Sequence, residues 1–122
     1  MPYHYTVYKR ILTELFTRLP DFRPQTCLDY GAGLGSGLWA AMHVYSTEQD
    51  VINKEKFLQR VAAVEPNVNM RKLGKYLTSE QFAMGDPLWV DSLAMIPSGD
   101  RGKFDLILIG FVLQEIASAK GR

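Results

Sequence analysis

A chain of 122 residues can bury one respectable core but not two. With 14 Lys and Arg against 13 Asp and Glu it is almost neutral, so composition makes no electrostatic case for nucleic acid, and any RNA contact must be local or lie outside these residues. A single Cys27 excludes an internal disulfide and a cysteine-built metal site and fits a reducing compartment, no apolar run reaches membrane-spanning length, and the N-terminus has no secretory pattern.

In chain order, apolar Val7, Ile11, Leu12, Leu15, Phe16 and Leu19 recur at helical spacing, which predicts an amphipathic helix from Tyr3 to Leu19, ended by Pro20 and packed on one face of a sheet. Pro24 acts as a breaker, so residues 1–25 read as a leading helix and linker, and 26–122 as β/α units. Thr26 to Tyr30 is the first strand, with Cys27 buried in it. Glycines follow at 31, 33, 35 and 37, and a helix over Ser36 to Tyr45 completes a strand, glycine turn and helix. Glycine lets backbone approach a ligand with no Cβ in the way, so this segment is a cradle for a nucleotide-type cofactor in an α/β sheet.

The spacing narrows the cofactor. A dinucleotide fingerprint needs a third glycine where Ser36 stands, and a phosphate-binding P-loop needs a Lys after the glycines, which is absent. Asp29, directly before the turn, would repel a pyrophosphate but suits a cation, and S-adenosylmethionine carries an ammonium and a sulfonium and no phosphate. The run from Asp29 through Gly31, Ala32, Gly33 and Gly35 resembles the first motif of class I S-adenosylmethionine-dependent methyltransferases. A nicotinamide oxidoreductase domain is the remote alternative.

Ser46 to Phe57 is polar and reads as a solvated, partly helical insertion. Arg60 to Val64 is the second strand, ending at Glu65 and Pro66, and a carboxylate there is placed to accept hydrogen bonds from both ribose hydroxyls of an adenosine. The separation of Gly31 from Glu65 exceeds the roughly 20 residues usual for such a pair, and the insertion accounts for the excess. Asn67 caps a helix whose Met70, Leu73 and Leu77 are expected to face the sheet, with Arg71, Lys72 and Lys75 in water. Trp89 to Asp91 reads as a short third strand, with Asp91 at its end to meet the adenine amino group and Asp86 as its rival. Pro97 to Gly102 is a loop. The apolar run Phe104 to Ile109 predicts a central strand buried on both faces, and Phe111 to Ile116 starts a helix.

Several stretches narrow the resemblance. Leu19-Pro20-Asp21-Phe22-Arg23-Pro24 leading into Leu28-Asp29-Tyr30-Gly31-Ala32-Gly33, the tail Leu38-Trp39-Ala40-Ala41, Val64-Glu65-Pro66-Asn67-Val68-Asn69-Met70, and Phe104-Asp105-Leu106-Ile107 with Phe111-Val112-Leu113-Gln114-Glu115-Ile116 are similar to mitochondrial methyltransferase-like proteins associated with the small ribosomal subunit and their bacterial relatives. The resemblance implies a Rossmann-like class I methyltransferase fold, S-adenosylmethionine as cofactor, a mitochondrial matrix location, and work on or beside small-subunit rRNA with ribosomal proteins or assembly factors as partners. It also implies a seven-stranded sheet, of which about four strands can be counted here. The chain is then the N-terminal portion of one domain, and strands from the same or another chain complete it. The cysteine-rich metal region of the family has no match.

A catalytic residue cannot be named. The proline-held motif with which such enzymes grip an exocyclic amine is replaced by Gly110-Phe111-Val112-Leu113, and no cysteine lies there. Methyl transfer can still proceed by proximity, with Gln114 or Glu115 to orient an acceptor, but both read more readily as ordinary helix residues. Two functions stay open: an active rRNA methyltransferase, or an assembly factor of the mitochondrial small subunit that keeps the cofactor pocket.

Overall fold

The computed structural model describes residues 2–46, 58, 60–79, 86–100 and 102–109. The elements are α1 (Pro2–Arg18), β1 (Thr26–Tyr30), α2 (Ser36–Tyr45), β2 (Arg60–Val64), α3 (Val68–Thr78), β3 (Leu88–Val90), a single 3-10 turn (Leu93–Met95) and β4 (Leu106–Ile109). The four strands form one parallel sheet in the order β3-β2-β1-β4. This is the expected α/β, Rossmann-like arrangement, with a part of the sheet present.

Alternation along each strand builds two apolar layers. Cys27, Val61, Ala63, Leu106 and Leu108 point to one face, where they meet Leu38, Ala41, Met42 and Tyr45 of α2 and Leu12 of α1. Leu28, Ala62 and Val64 point to the other, against Ile96, with Tyr30, Val90 and Phe104 at its margin. At one end of the sheet, Thr26 Oγ1 donates to the Lys103 carbonyl (3.1 Å) and accepts from the Asp105 N–H (2.8 Å), and Asp105 accepts from the Gln25 N–H (3.0 Å). Those bonds hold β4 in register with β1, so Asp29 lies opposite Ala63 on one side and Leu108 on the other.

Three expectations are corrected by packing. In α1 the buried stripe is Leu12 with Tyr5, Tyr8, Leu15 and Phe16 alongside it, whereas Ile11 and Leu19 are more than half exposed. The helix rotates to place aromatic residues on α2, where Tyr5 Oη lies 2.7 Å from His43 Nδ1 and the two rings meet edge to face. In α3 the sheet-facing residues are Gly74 and Thr78, and Leu73 and Leu77 are exposed. The cause is Trp89: its ring fills the space under the helix, a Cβ on Gly74 would run into it, and its indole N–H donates to Thr78 Oγ1 at 3.1 Å. Bulk on β3 demands small residues on the helix. Arg71 likewise turns back from water to donate to the Glu65 and Pro66 carbonyls at 2.8 and 3.3 Å. In β4, Leu106 and Leu108 are buried but Ile107 and Ile109 are 53% and 55% exposed. The strand stands at the end of the sheet among the described residues, so its second face has no covering layer there. The polar insertion from position 47 and the helix expected over Phe111 to Ile116 lie outside the described residues.

Candidate functional site

The carboxyl ends of β1, β2 and β3 open into a cavity of about 910 Å³. It lies beside the β1/β4 junction, where strand order reverses and ligands bind in open α/β sheets. Its walls follow the sheet: Asp91 to Ala94 after β3, Val64 to Asn67 after β2, Tyr30 to Leu34 and Ser36 after β1, with Met70 of α3 and His4 and Tyr8 of α1 closing it.

The glycine loop owes its shape to backbone. Gly31, Gly33 and Gly35 have φ of 75°, 57° and 92°, the left-handed region that side chains rarely adopt, which accounts for glycine at every second position. The loop amides are spent inside the protein. Those of Gly31 and Ala32 both donate to the Val64 carbonyl (2.9 and 3.0 Å), that of Gly35 donates to the Ala32 carbonyl (2.9 Å), and that of Gly33 donates to Glu65 Oε1 (2.8 Å). Gly37 serves packing: a Cβ there would press on Leu108 at 2.9 Å and on Asp29 Oδ2 at 3.0 Å.

Glu65 is the hinge of the site. It is 8% exposed, and its second oxygen accepts from the Asn67 N–H at 2.9 Å, so one carboxylate ties the glycine loop to the start of α3 while still facing the cavity. Each oxygen keeps a further lone-pair site for a ligand hydroxyl. Asn67 in turn caps α3, accepting from the Asn69 and Met70 N–H groups at 3.0 and 3.1 Å, as its position before the helix suggested.

Of the seven residues singled out from sequence, Gly31, Ala32, Gly33, Glu65 and Asp91 line the cavity. Gly35 stands behind the loop, its Cα side against Thr78 and Trp89. Asp29 lies beneath it, fully buried, with both carboxylate oxygens unpartnered among the described residues. Burial, and then the Glu65 charge, push its pKa up to about 7. Asp91 and its rival Asp86 are separated by strand direction, since Asp86 precedes β3 and Asp91 follows it at the cavity. His4, Tyr8, Ser36 and the Leu93–Ala94 wall were not singled out from sequence. Only the four-residue spacing of His4 and Tyr8, which puts both on one helix face, could have pointed to them.

Among the described lining residues there is no Lys or Arg, and the acids are Glu65 and Asp91. No described group of His, Cys, Asp and Glu could hold a metal. The Cys27 thiol is pushed up by burial first and by the Asp29 charge second, so it holds no nucleophile in reserve. The described lining thus places carboxylate acceptors at the β2 and β3 ends of the cavity and holds no side-chain cation there.

Comparison with known proteins agrees with this geometry. A family model described as "Mitochondrial small ribosomal subunit Rsm22" matches residues 1–122. The chain belongs to the Rsm22 family. A human relative, "Ribosome assembly protein METTL17, mitochondrial", is 28% identical over 115 residues, which covers 93% of this chain and 23% of the relative. The chain therefore spans about a quarter of the length of that relative. The resemblance to mitochondrial methyltransferase-like proteins of the small subunit is borne out. No helix among the described residues is long and apolar enough to cross a membrane.

Proposed function

We propose that this protein is a mitochondrial assembly factor of the small ribosomal subunit, working beside its rRNA, and that its pocket binds S-adenosylmethionine. The observation that carries the cofactor reading is the state of the glycine loop: the amides of Gly31, Ala32, Gly33 and Gly35 are already bonded to protein acceptors. A pyrophosphate is held by such amides at a helix N-terminus. Those four amides are taken and the described wall holds no Lys or Arg, which favours a nucleoside ligand without phosphate over a nicotinamide dinucleotide.

The residues present fit that ligand. Glu65 accepts from the ribose hydroxyls, Asp91 meets the adenine amino group, and Val64, Met70, Leu93 and Ala94 supply apolar surface for the ring. Buried Asp29, where it is deprotonated above its raised pKa of about 7, adds negative potential beneath the loop, toward the ligand's positive charges. When bound, the cofactor supplies a methyl group on a sulfonium. The residues after β4, where an acceptor would be gripped, lie outside the described ones, so the proposal rests on cofactor binding and assembly rather than on methyl transfer.

Calorimetric titration of the whole protein with S-adenosylmethionine, S-adenosylhomocysteine and NAD is the test. Binding of the first two and not of NAD is expected, and the reverse overturns the cofactor reading. Crosslinking in mitochondria checks the ribosomal half. Recovery of small-subunit rRNA is the expected result, and its absence from the crosslinked RNA overturns that half.

A further inference from the structure

The charge of this chain is balanced in total but not in space. The helices α1, α2 and α3 pack on one face of the sheet and hold six cations, Lys9, Arg10, Arg18, Arg71, Lys72 and Lys75, against one acid, Glu14. The helix layer is thus net +5 in a chain of net +1, and the remaining residues, with eight cations and 12 acids, are net negative. Arg18 and Arg71 have internal duties: the first pairs with Glu14 at 2.7 Å, and the second donates to the Glu65 carbonyl at 2.8 Å. Lys72 and Lys75 are exposed and make no ion pair or hydrogen bond among the described residues. They stand on α3, which contains no acid, and Tyr76, one turn beyond Lys72, is 76% exposed. The fold does not account for this group, because α3 is held by Gly74 and Thr78 against Trp89, on the opposite side of the helix.

We infer that the face of α3 made by Lys72, Lys75 and Tyr76 docks on the rRNA, with the lysines on backbone phosphates and the tyrosine ring on an unpaired base. This rests on the ribosomal half of the reading above and is independent of the cofactor. Charge complementarity selects the partner: an ammonium on a flexible stem is a point charge suited to phosphate, and a run of phosphates rewards a layer of cations with few acids in it. The ring selects looped or single-stranded RNA, whose bases stack on an exposed aromatic while the backbone takes the cations. The face also has a place relative to the pocket. Asn67 caps α3 and Met70 lies in its first turn, and both line the cavity, so RNA held along this helix lies beside the cavity mouth.

The test uses the whole protein, first with a synthetic RNA stem-loop as probe and then by ultraviolet crosslinking in mitochondria. Lys72→Gln combined with Lys75→Gln is expected to raise Kd about tenfold or more at about 0.1 M salt, and to reduce the slope of log affinity against log salt by about 1.4 to 1.8, as the loss of two phosphate contacts does. Tyr76→Ala is expected to weaken binding about fivefold and to leave that slope unchanged, because stacking releases no counterions. All three positions are exposed, so the melting temperatures stay within about two degrees of wild type. In mitochondria, nucleotide adducts on the wild-type protein are expected within Val68–Thr78. Crosslinked rRNA with adducts confined to other elements, or variants that keep both affinity and slope, overturn this face and leave the ribosomal reading standing. So does a lysine-reactive crosslinker that joins Lys72 or Lys75 to an acidic protein while the variants bind RNA as wild type does. Absence of rRNA from the crosslinks overturns the ribosomal reading and this face together.

Discussion

Glu65 and Asp91 both face the cavity, but only Glu65 also holds the protein together, and substitutions separate the two duties. Glu65→Ala removes the proposed ribose acceptor and strands the amides of Gly33 and Asn67, so it is expected to weaken S-adenosylmethionine binding by roughly 1.5 to 3 kcal/mol and to lower stability by about 1 to 3 kcal/mol. Asp91→Ala, at an exposed residue, weakens binding and leaves the melting temperature within about a degree of wild type. Titration calorimetry and thermal unfolding on the same samples check the contrast. Asp29 adds a pH signature. Its pKa rises from 3.8 to about 7 on folding, because burial disfavours the charged form. The folded state thus binds the proton more tightly, and its contribution to stability is full below pH 3.8 and lost as pH rises through about 7. Asn at position 29 has no proton to lose. The stability of Asp29→Asn relative to wild type therefore increases between pH 5 and pH 8 in denaturant titrations, and a constant difference would contradict the buried carboxylate.

Among elements, α3 shows how one bulky side chain overrules a periodicity. Leu73 and Leu77 carry the apolar pattern, yet Gly74 and Thr78 are the residues buried against Trp89. In an exposed helix, Gly→Ala stabilises by up to about 1 kcal/mol. Here the added methyl has no room, so Gly74→Ala is expected to destabilise by about 1 to 3 kcal/mol, as overpacked cores do. Combining it with Trp89→Leu, which vacates the space, should recover part of the loss, and urea unfolding of the single and double variants reads the coupling.

At the scale of the molecule, β4 closes the sheet on one side only. Its neighbour is β1, its outer edge has no strand among the described residues, and Ile107 and Ile109 present apolar surface on one face. Soluble proteins seldom leave such an edge open, because it pairs with other chains. A polypeptide of residues 1–122 alone should therefore aggregate or bind a hydrophobic dye strongly. In the whole protein the β4 amides should be protected from hydrogen exchange by further structure. A soluble, dye-free, cooperatively unfolding monomer from the short segment would show that residues 1–122 suffice.

The elements themselves were legible because their signals are local. Thr26–Tyr30, Ser36–Tyr45 and Arg60–Val64 stand where breakers, glycines and apolar runs placed them, and Asn67 caps α3 as its type and position imply. The glycine loop and the strand-end acids were legible too, since conformations with positive φ and the ends of parallel strands leave a mark on residue type. What the residues alone could not decide depended on distant partners. That Trp89 would exclude leucines from the face of α3, and that β4 would be covered on one face, are consequences of which surfaces meet. That Glu65 would clamp Gly33 and Asn67 while Asp29 had no partner among the described residues follows from where the strands end in space. The arrival of His4 and Tyr8 at the cavity is of the same kind: spacing puts them on one face of α1, and only the docking of α1 against α2 turns that face toward the site.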